Sequence, residues 1–245
     1  MAELDIIVPD WPAPPHIRAL CTSRSGGVSR GGFASLNLAD HVGDVSEHVT
    51  ENRLRLRQNL HLTGQPQWLH QTHGIEVIDL DRSRSREGDA AVTSTPNLIA
   101  VVLTADCLPV LVCNAEGSEV AAAHAGWRGL LNGVLEQTVL QMHSSAVDLL
   151  VWLGPAIGPQ QFEVGEEVRQ AFMQYSADNA PFFAPTRPGH YLADLYAIAR
   201  LRLNKLGINH IYGGEFCTYS DSAAFFSYRR DRNCGRQASL IYINK

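Results

Sequence analysis

Cys107 and His124 occupy mirrored positions in a stretch that reads as a hairpin. Cys107-Leu-Pro-Val-Leu-Val-Cys113 and Ser118-Glu-Val-Ala-Ala-Ala-His124 flank the four-residue turn Asn114-Ala-Glu-Gly117. If Cys113 faces Ser118, counting six residues outward on each arm sets Cys107 opposite His124. The strand period of two then turns both side chains to one face. Opposed Cβ atoms in such a ladder lie about 4.5–5.5 Å apart. At that spacing a thiolate bonding at about 2.3 Å and an imidazole at about 2.0–2.1 Å can share one zinc ion. A one-residue slip in the turn would break this geometry. A third ligand is sought in Trp68-Leu-His70-Gln-Thr-His73-Gly74, just before a strand-like run, where His73 adjoins a glycine at which the backbone can bend. Three protein ligands with an open fourth position describe a catalytic zinc, which lowers the pKa of bound water or polarises a substrate oxygen. The plainer alternative is a buried cysteine acting as a small hydrophobe beside a satisfied core histidine. His124-Ala-Gly126-Trp127-Arg128-Gly129 ends a strand and opens a helix, so His124 sits at a strand end, and backbone amides there can face an anion.

Short β-like runs recur at 5–8, 17–22, 75–80, 98–104, 107–113, 119–124, 149–153 and 239–243, most of them rich in Val, Ile and Leu. Helical spacing follows Ser46, a candidate cap for a stripe of Val49, Leu56 and Leu60. It returns over Leu131 to Met142, over Glu166 to Gln174, and from Asp194 to Leu206 with Gly207 as terminator. Three strand-like runs between Leu98 and His124 leave no room for a helix, so strict βαβ alternation fails and the class is α+β with a mixed or antiparallel sheet.

The chain has 245 residues, of which 45% are hydrophobic, enough to bury a substantial core. No linker or repeat interrupts it, so one domain over 1–245 is expected. The first twenty residues lack a basic start and an apolar stretch, and no apolar run approaches a membrane span, so a cytoplasmic location without membrane association is expected. A net charge of -5 argues against nucleic acid as a partner. The five cysteines, at 21, 107, 113, 217 and 234, have no regular spacing and read as free thiols.

Several segments together resemble the YfiH-like family, also called laccase-domain or multicopper polyphenol oxidase proteins. They are Thr22-Ser-Arg24-Ser-Gly-Gly27-Val-Ser29, Ser35-Leu-Asn37-Leu38, His41-Val-Gly-Asp44, Asn52-Arg53, Gln71-Thr-His73-Gly74, Thr104-Ala-Asp-Cys107-Leu-Pro-Val110, His124-Ala-Gly-Trp-Arg128-Gly129, Gly154-Pro-Ala-Ile-Gly158-Pro159 and Phe225-Phe-Ser-Tyr-Arg-Arg230-Asp231. The resemblance implies a four-layer α/β/β/α fold with mixed sheets, similar to cytotoxic-necrotizing-factor-like cysteine hydrolases. It also implies a zinc site on His73, Cys107 and His124, which are then the catalytic residues. It further implies phosphorolysis of adenosine, inosine and methylthioadenosine, with adenosine deamination in the same site. The expected partners are a small nucleoside and phosphate. Phosphorolysis needs phosphate held beneath the sugar, for which Arg24, Arg53, Arg128, Arg229 and Arg230 are candidates. Asn37 is a further substrate-binding candidate whose plainer reading is a turn residue. The deaminase signature H-x-E with P-C-x-x-C is missing. Asp106 adjoins Cys107, but strand alternation points it away from the metal face.

Rival functions remain. The His2Cys set also suits copper, as the polyphenol oxidase label implies, yet the ten histidines form no H-x-H pair. Zinc is therefore preferred to copper. Cys107 as nucleophile with His124 as base would make a Cys–His hydrolase, and relatives in this family have been linked to editing peptidoglycan precursors. A binding protein without turnover is the third option.

Overall fold

Alternate side chains of the same strands enter different cores, and this divides the molecule into layers. The computed structural model describes residues 4–244. Among these, the strands are β1 (Ile6–Ile7), β2 (Ile17–Thr22), β3 (Pro66–Trp68), β4 (Val77–Asp79), β5 (Ala90–Thr93), β6 (Ile99–Thr104) and β7 (Leu108–Asn114). They continue with β8 (Val120–Ala125), β9 (Leu149–Leu153), β10 (Glu163–Gly165), β11 (Phe183–Arg187), β12 (His190–Ala193), β13 (His210–Gly213) and β14 (Gln237–Ile243). The helices are α1 (Ser46–Asn59), α2 (Trp127–Asn132), α3 (Val134–Gln141), α4 (Glu166–Tyr175), α5 (Leu195–Lys205) and α6 (Tyr228–Asp231).

A five-stranded sheet of order β1-β2-β14-β6-β3 faces a six-stranded sheet of order β13-β9-β7-β8-β5-β4, and β10-β12-β11 form a small third sheet. Both large sheets are mixed: β3 is parallel to β6, β4 to β5 and β13 to β9, with antiparallel neighbours elsewhere. Between them, Ala100, Val102 and Ile241 of the first sheet meet Leu111, Ala122 and Trp152 of the second. The intervening residues Val101, Leu103 and Leu240 turn outward onto Leu56 of α1. On the second sheet Val110, Ala123 and Val151 turn outward onto Leu135 of α3 and Ile198 of α5. The architecture is thus α/β/β/α with mixed sheets, the α+β arrangement the family resemblance implies.

A strand overlaps each of the eight sequence-derived runs, β2 and β9 have the expected bounds, and β1 and β4 are shorter than the runs 5–8 and 75–80. Three expectations need correction. The run from Leu131 to Met142 is two helices, because Gly133 adopts φ 106°, a left-handed conformation that interrupts α2 and α3. Ser46 is the first residue of α1 and caps nothing; Val45 holds the cap position. The β7–β8 hairpin pairs Cys113 with Val120 and Pro109 with His124, two residues displaced from the expected register. The Asn114 side chain accepts from the amides of Ser118 and Glu119, which enlarges the turn. A shift of two preserves faces, so His124 stays on the inter-sheet side. At the far edge of the second sheet, the Arg200 guanidinium donates to the carbonyls of Ile211 and Gly213 on β13. No helix among the described residues is long and apolar enough to cross a membrane.

Two crossovers between the sheets bring residues to one end of the sandwich. β6 leaves the first sheet at Thr104 and β7 joins the second at Leu108, with Cys107 between them. The β3–β4 connection makes the same crossing and carries His73.

Leu111 is fully buried between the sheets. Leu111→Ala should cost about 2–5 kcal/mol through lost burial and a residual cavity. Urea denaturation of the two proteins measures this, and a loss under about 1 kcal/mol would show that the sheets do not pack as described.

Candidate metal centre

Asp89, the residue just before β5, is fully buried, and its carboxylate gathers the whole site. Oδ1 accepts the His73 amide at 2.9 Å and lies 2.8 Å from His124 Nδ1. Oδ2 accepts the amides of Thr72 at 3.1 Å and Gly74 at 2.7 Å, and the Thr72 hydroxyl at 3.1 Å. The His124 amide also donates to the Asp89 carbonyl at 2.7 Å, tying β8 to β5. These bonds hold His73 at φ 62°, a left-handed conformation that a β-carbon makes costly. Burial would raise the Asp89 carboxyl, but the His124 ring and the amides of Gly74 and Thr72 outweigh it and hold it at about 2.

With Nδ1 of His124 committed to Asp89, Nε2 is left as the ligand atom, the usual backing of a metal-bound histidine. Cys107 Sγ lies 3.8 Å from His73 Nε2, and one ligand atom from each of His73, Cys107 and His124 lies within 4.8 Å of the others. Two ligands on a tetrahedral zinc, at about 2.3 and 2.0–2.1 Å, sit roughly 3.6 Å apart, so the spacing fits a metal ion. The rings of His73 and His124 meet edge to face with centroids 4.8 Å apart. Gly126 makes this convergence possible, because a β-carbon there would stand 3.0 Å from both Cys107 Sγ and His73 Cδ2. Burial alone would push the Cys107 thiol up. The charge of His124 and hydrogen bonds from both histidines reverse this, bringing it down to about 6. Burial would lower His124, but the Cys107 thiolate and Asp89 raise it to about 9. Each of the two groups thus favours the charged form of the other.

His73 and Cys107 form the floor of a cleft of about 450 Å³, lined also by Asp106, Trp127, Arg128, Ile157, Phe162, Tyr228, Arg229 and Arg232. Of the sequence-derived arginines, Arg128 and Arg229 line it, stacked on Trp127 and Phe162 respectively. Arg24, Asn37, Arg53 and Arg230 are not among its lining residues. Arg24 donates to the carbonyls of Ala34 and Ser222, and Arg53 to that of Leu38 while pairing with Asp40. Arg230 braces the carbonyls of Thr218, Tyr219 and Phe225. Asn37 is fully buried and bonds Ala39, Asp44 and the Arg236 amide, holding loops together. His70, the other histidine considered for the third ligand, is absent from the converging group.

Asp89 and Arg232 lie outside every motif read from the sequence, while Gly126, Trp127 and Tyr228 lie within such motifs without a side-chain role there. Asp89 escaped because β5 is an unremarkable Ala-Ala-Val run, and a strand not recognised cannot flag the carboxylate at its head. Among the described residues, His73, Cys107 and His124 are the one group of three or more His, Cys, Asp or Glu side chains that converges as a ligand set.

Known proteins resemble this chain over nearly its whole length. The profile of the family described as multi-copper polyphenol oxidoreductase laccase matches residues 18–244. A purine nucleoside phosphorylase of Pseudomonas aeruginosa is 50% identical over 238 residues, covering 97% of this chain and 98% of its own. The purine nucleoside phosphorylase YfiH of Escherichia coli is 50% identical over 240 residues with the same coverage. The crystal structure of Neisseria meningitidis protein NMB0706 superposes with a TM-score of 0.95 at 44% identity, covering 98% of this chain and 99% of that one. That of YlmD from Geobacillus stearothermophilus gives 0.85 at 32% identity, covering 96% and 94%.

Asp89→Asn keeps the shape but presents an amide where five donors expect a carboxylate. Metal affinity should fall about 10–100-fold, as for other carboxylates behind a ligating histidine. Competition titration with a zinc chelator measures it, and unchanged affinity would separate Asp89 from the ligand set. Gly126→Ala should weaken binding as well, since its methyl must displace Sγ or the His73 ring.

Proposed function

This chain belongs to the multi-copper polyphenol oxidoreductase laccase family, and on that premise we propose that it is a zinc-dependent purine nucleoside phosphorylase of the cytoplasm, acting on adenosine, inosine and methylthioadenosine. The observation that carries the reading is the sharing of one cleft by a metal-competent His–Cys–His group and an arginine-bearing wall. The names of the half-identical relatives point the same way. In phosphorolysis a phosphate oxygen bonds to the anomeric carbon as the glycosidic bond breaks, and the purine leaves with the electron pair and a proton. Arg128, Arg229 and Arg232 hold the phosphate anion and offset charge in the transition state. Trp127, Phe162 and Tyr228 give aromatic faces against which purine and sugar rest. His73, Cys107 and His124 would hold zinc, which supplies Lewis acidity when bound. Asp89 keeps the His124 proton on Nδ1 and so leaves Nε2 free to ligate. Adenosine deamination is assigned to the same cleft.

Zinc is preferred to copper because three converging ligands can serve one ion and not a multinuclear copper cluster. A second reading has its own support: Cys107, His124 and Asp89 lie in series, with His124 drawing the Cys107 thiol down, the arrangement of a Cys–His amide hydrolase such as one editing peptidoglycan precursors. A metal on Cys107 would mask that nucleophile.

Protein purified without added metal, assayed on adenosine and inosine with and without phosphate, should release adenine and hypoxanthine only with phosphate. Cys107→Ala should lose both this activity and stoichiometric zinc. Absence of nucleoside turnover together with an empty metal site would sink the proposal and leave the hydrolase in its place.

A further inference from the structure

We propose that Asp106 is the positioning residue that fixes the arginine-bearing wall of the cleft against the His–Cys–His group, and thereby sets how tightly phosphate is held; this rests on the phosphorylase reading. Asp106 adjoins Cys107 and adopts φ 87°, a left-handed conformation that costs a non-glycine residue energy. That backbone turn sends its buried side chain away from the ligand atoms and into the opposite wall. Oδ1 accepts the Thr218 hydroxyl at 2.7 Å, and Oδ2 accepts the Arg229 amide at 2.6 Å. Its carbonyl accepts the Ile157 amide at 2.9 Å. Three segments distant in sequence are thus pinned to the residue beside a metal ligand.

The Arg229 contact matters most. α6 has four residues, too few to hold its own conformation, and its cap Ser227 accepts the Arg230 amide through its side chain and the Asp231 amide through its carbonyl, but not the Arg229 amide. Asp106 satisfies the Arg229 amide, and α6 with the residue that follows it carries Tyr228, Arg229 and Arg232 into the cleft. The Arg229 guanidinium is then aimed by its bond to the Glu163 carbonyl at 2.8 Å and its stacking on Phe162. Thr218 is itself anchored through its amide to the Ala156 carbonyl at 2.9 Å, so the brace rests on firm ground.

Asp106→Ala removes both acceptors. Asp106→Asn can still accept from the Arg229 amide while its NH2 donates to the Thr218 hydroxyl, and serves as the conservative rescue. With bound metal unchanged, KM for inorganic phosphate should rise about tenfold or more in Asp106→Ala and less than about threefold in Asp106→Asn. In an Arg229→Ala background, Asp106→Ala should add clearly less than it does in the wild type, because part of its effect runs through Arg229. Amide hydrogen exchange should show protection at Arg229 lost in the alanine variant and kept in the asparagine variant. Thr218→Val, which removes the hydroxyl alone, should reproduce part of both effects, and remains informative if Asp106→Ala fails to fold. An Arg229 amide equally protected in Asp106→Ala and wild type, or full additivity with Arg229→Ala, would overturn the proposal. If the wild type turns over no nucleoside, the phosphorylase reading fails separately, while hydrogen exchange still judges the brace.

Discussion

A carboxylate taken wholly out of water must be met by donors on every side, because an uncompensated buried charge costs several kcal/mol or more. Asp89 is such a group, and its donors come from two places: three successive amides and a hydroxyl of the β3–β4 crossover, and the ring of His124 at the end of β8. Neither source can move without leaving the charge short. The strained backbone of His73, the tautomer of His124 and the approach of the two rings are all consequences of satisfying this one anion. What lies above it, the cleft and its arginines, is built on a floor that Asp89 levels.

The two-sheet sandwich explains why the floor is where it is. Strands of both sheets bury alternate residues in the gap between them, and only at the end of that gap can a side chain be packed below and accessible above. His124 is buried, Cys107 half-buried and His73 exposed, a gradient from core to cleft within one ligand set. Short crossovers between the sheets, and the missing side chain at Gly126, let three chain segments converge there.

Much of this was legible from residue order. Strand alternation put Cys107 and His124 on one face; the hairpin register moved by two and Cys107 falls in the bend before β7, yet the two side chains still converge. The Asn114 side chain that moved it acts through hydrogen bonds that no hydrophobic pattern encodes. Layering followed from the family resemblance, and helix α5 with Gly207 beyond its end from local chemistry. The arginines were harder. Arg24, Arg53, Arg128, Arg229 and Arg230 look alike in sequence, and what separates them is which carbonyl or aromatic ring each meets after folding. Asp106 was read by strand alternation, but its left-handed backbone places it outside any strand, where that rule has no force.

The edge strand β13 carries a further consequence. An open strand edge offers a ladder of carbonyls and amides to any passing chain, and unguarded ladders seed aggregation and amyloid. Arg200 occupies two carbonyls of β13 with a charged group that must stay hydrated or paired. The guanidinium thus takes up acceptors that an added strand would need, which is how this edge of the six-stranded sheet is closed to further pairing at those two positions.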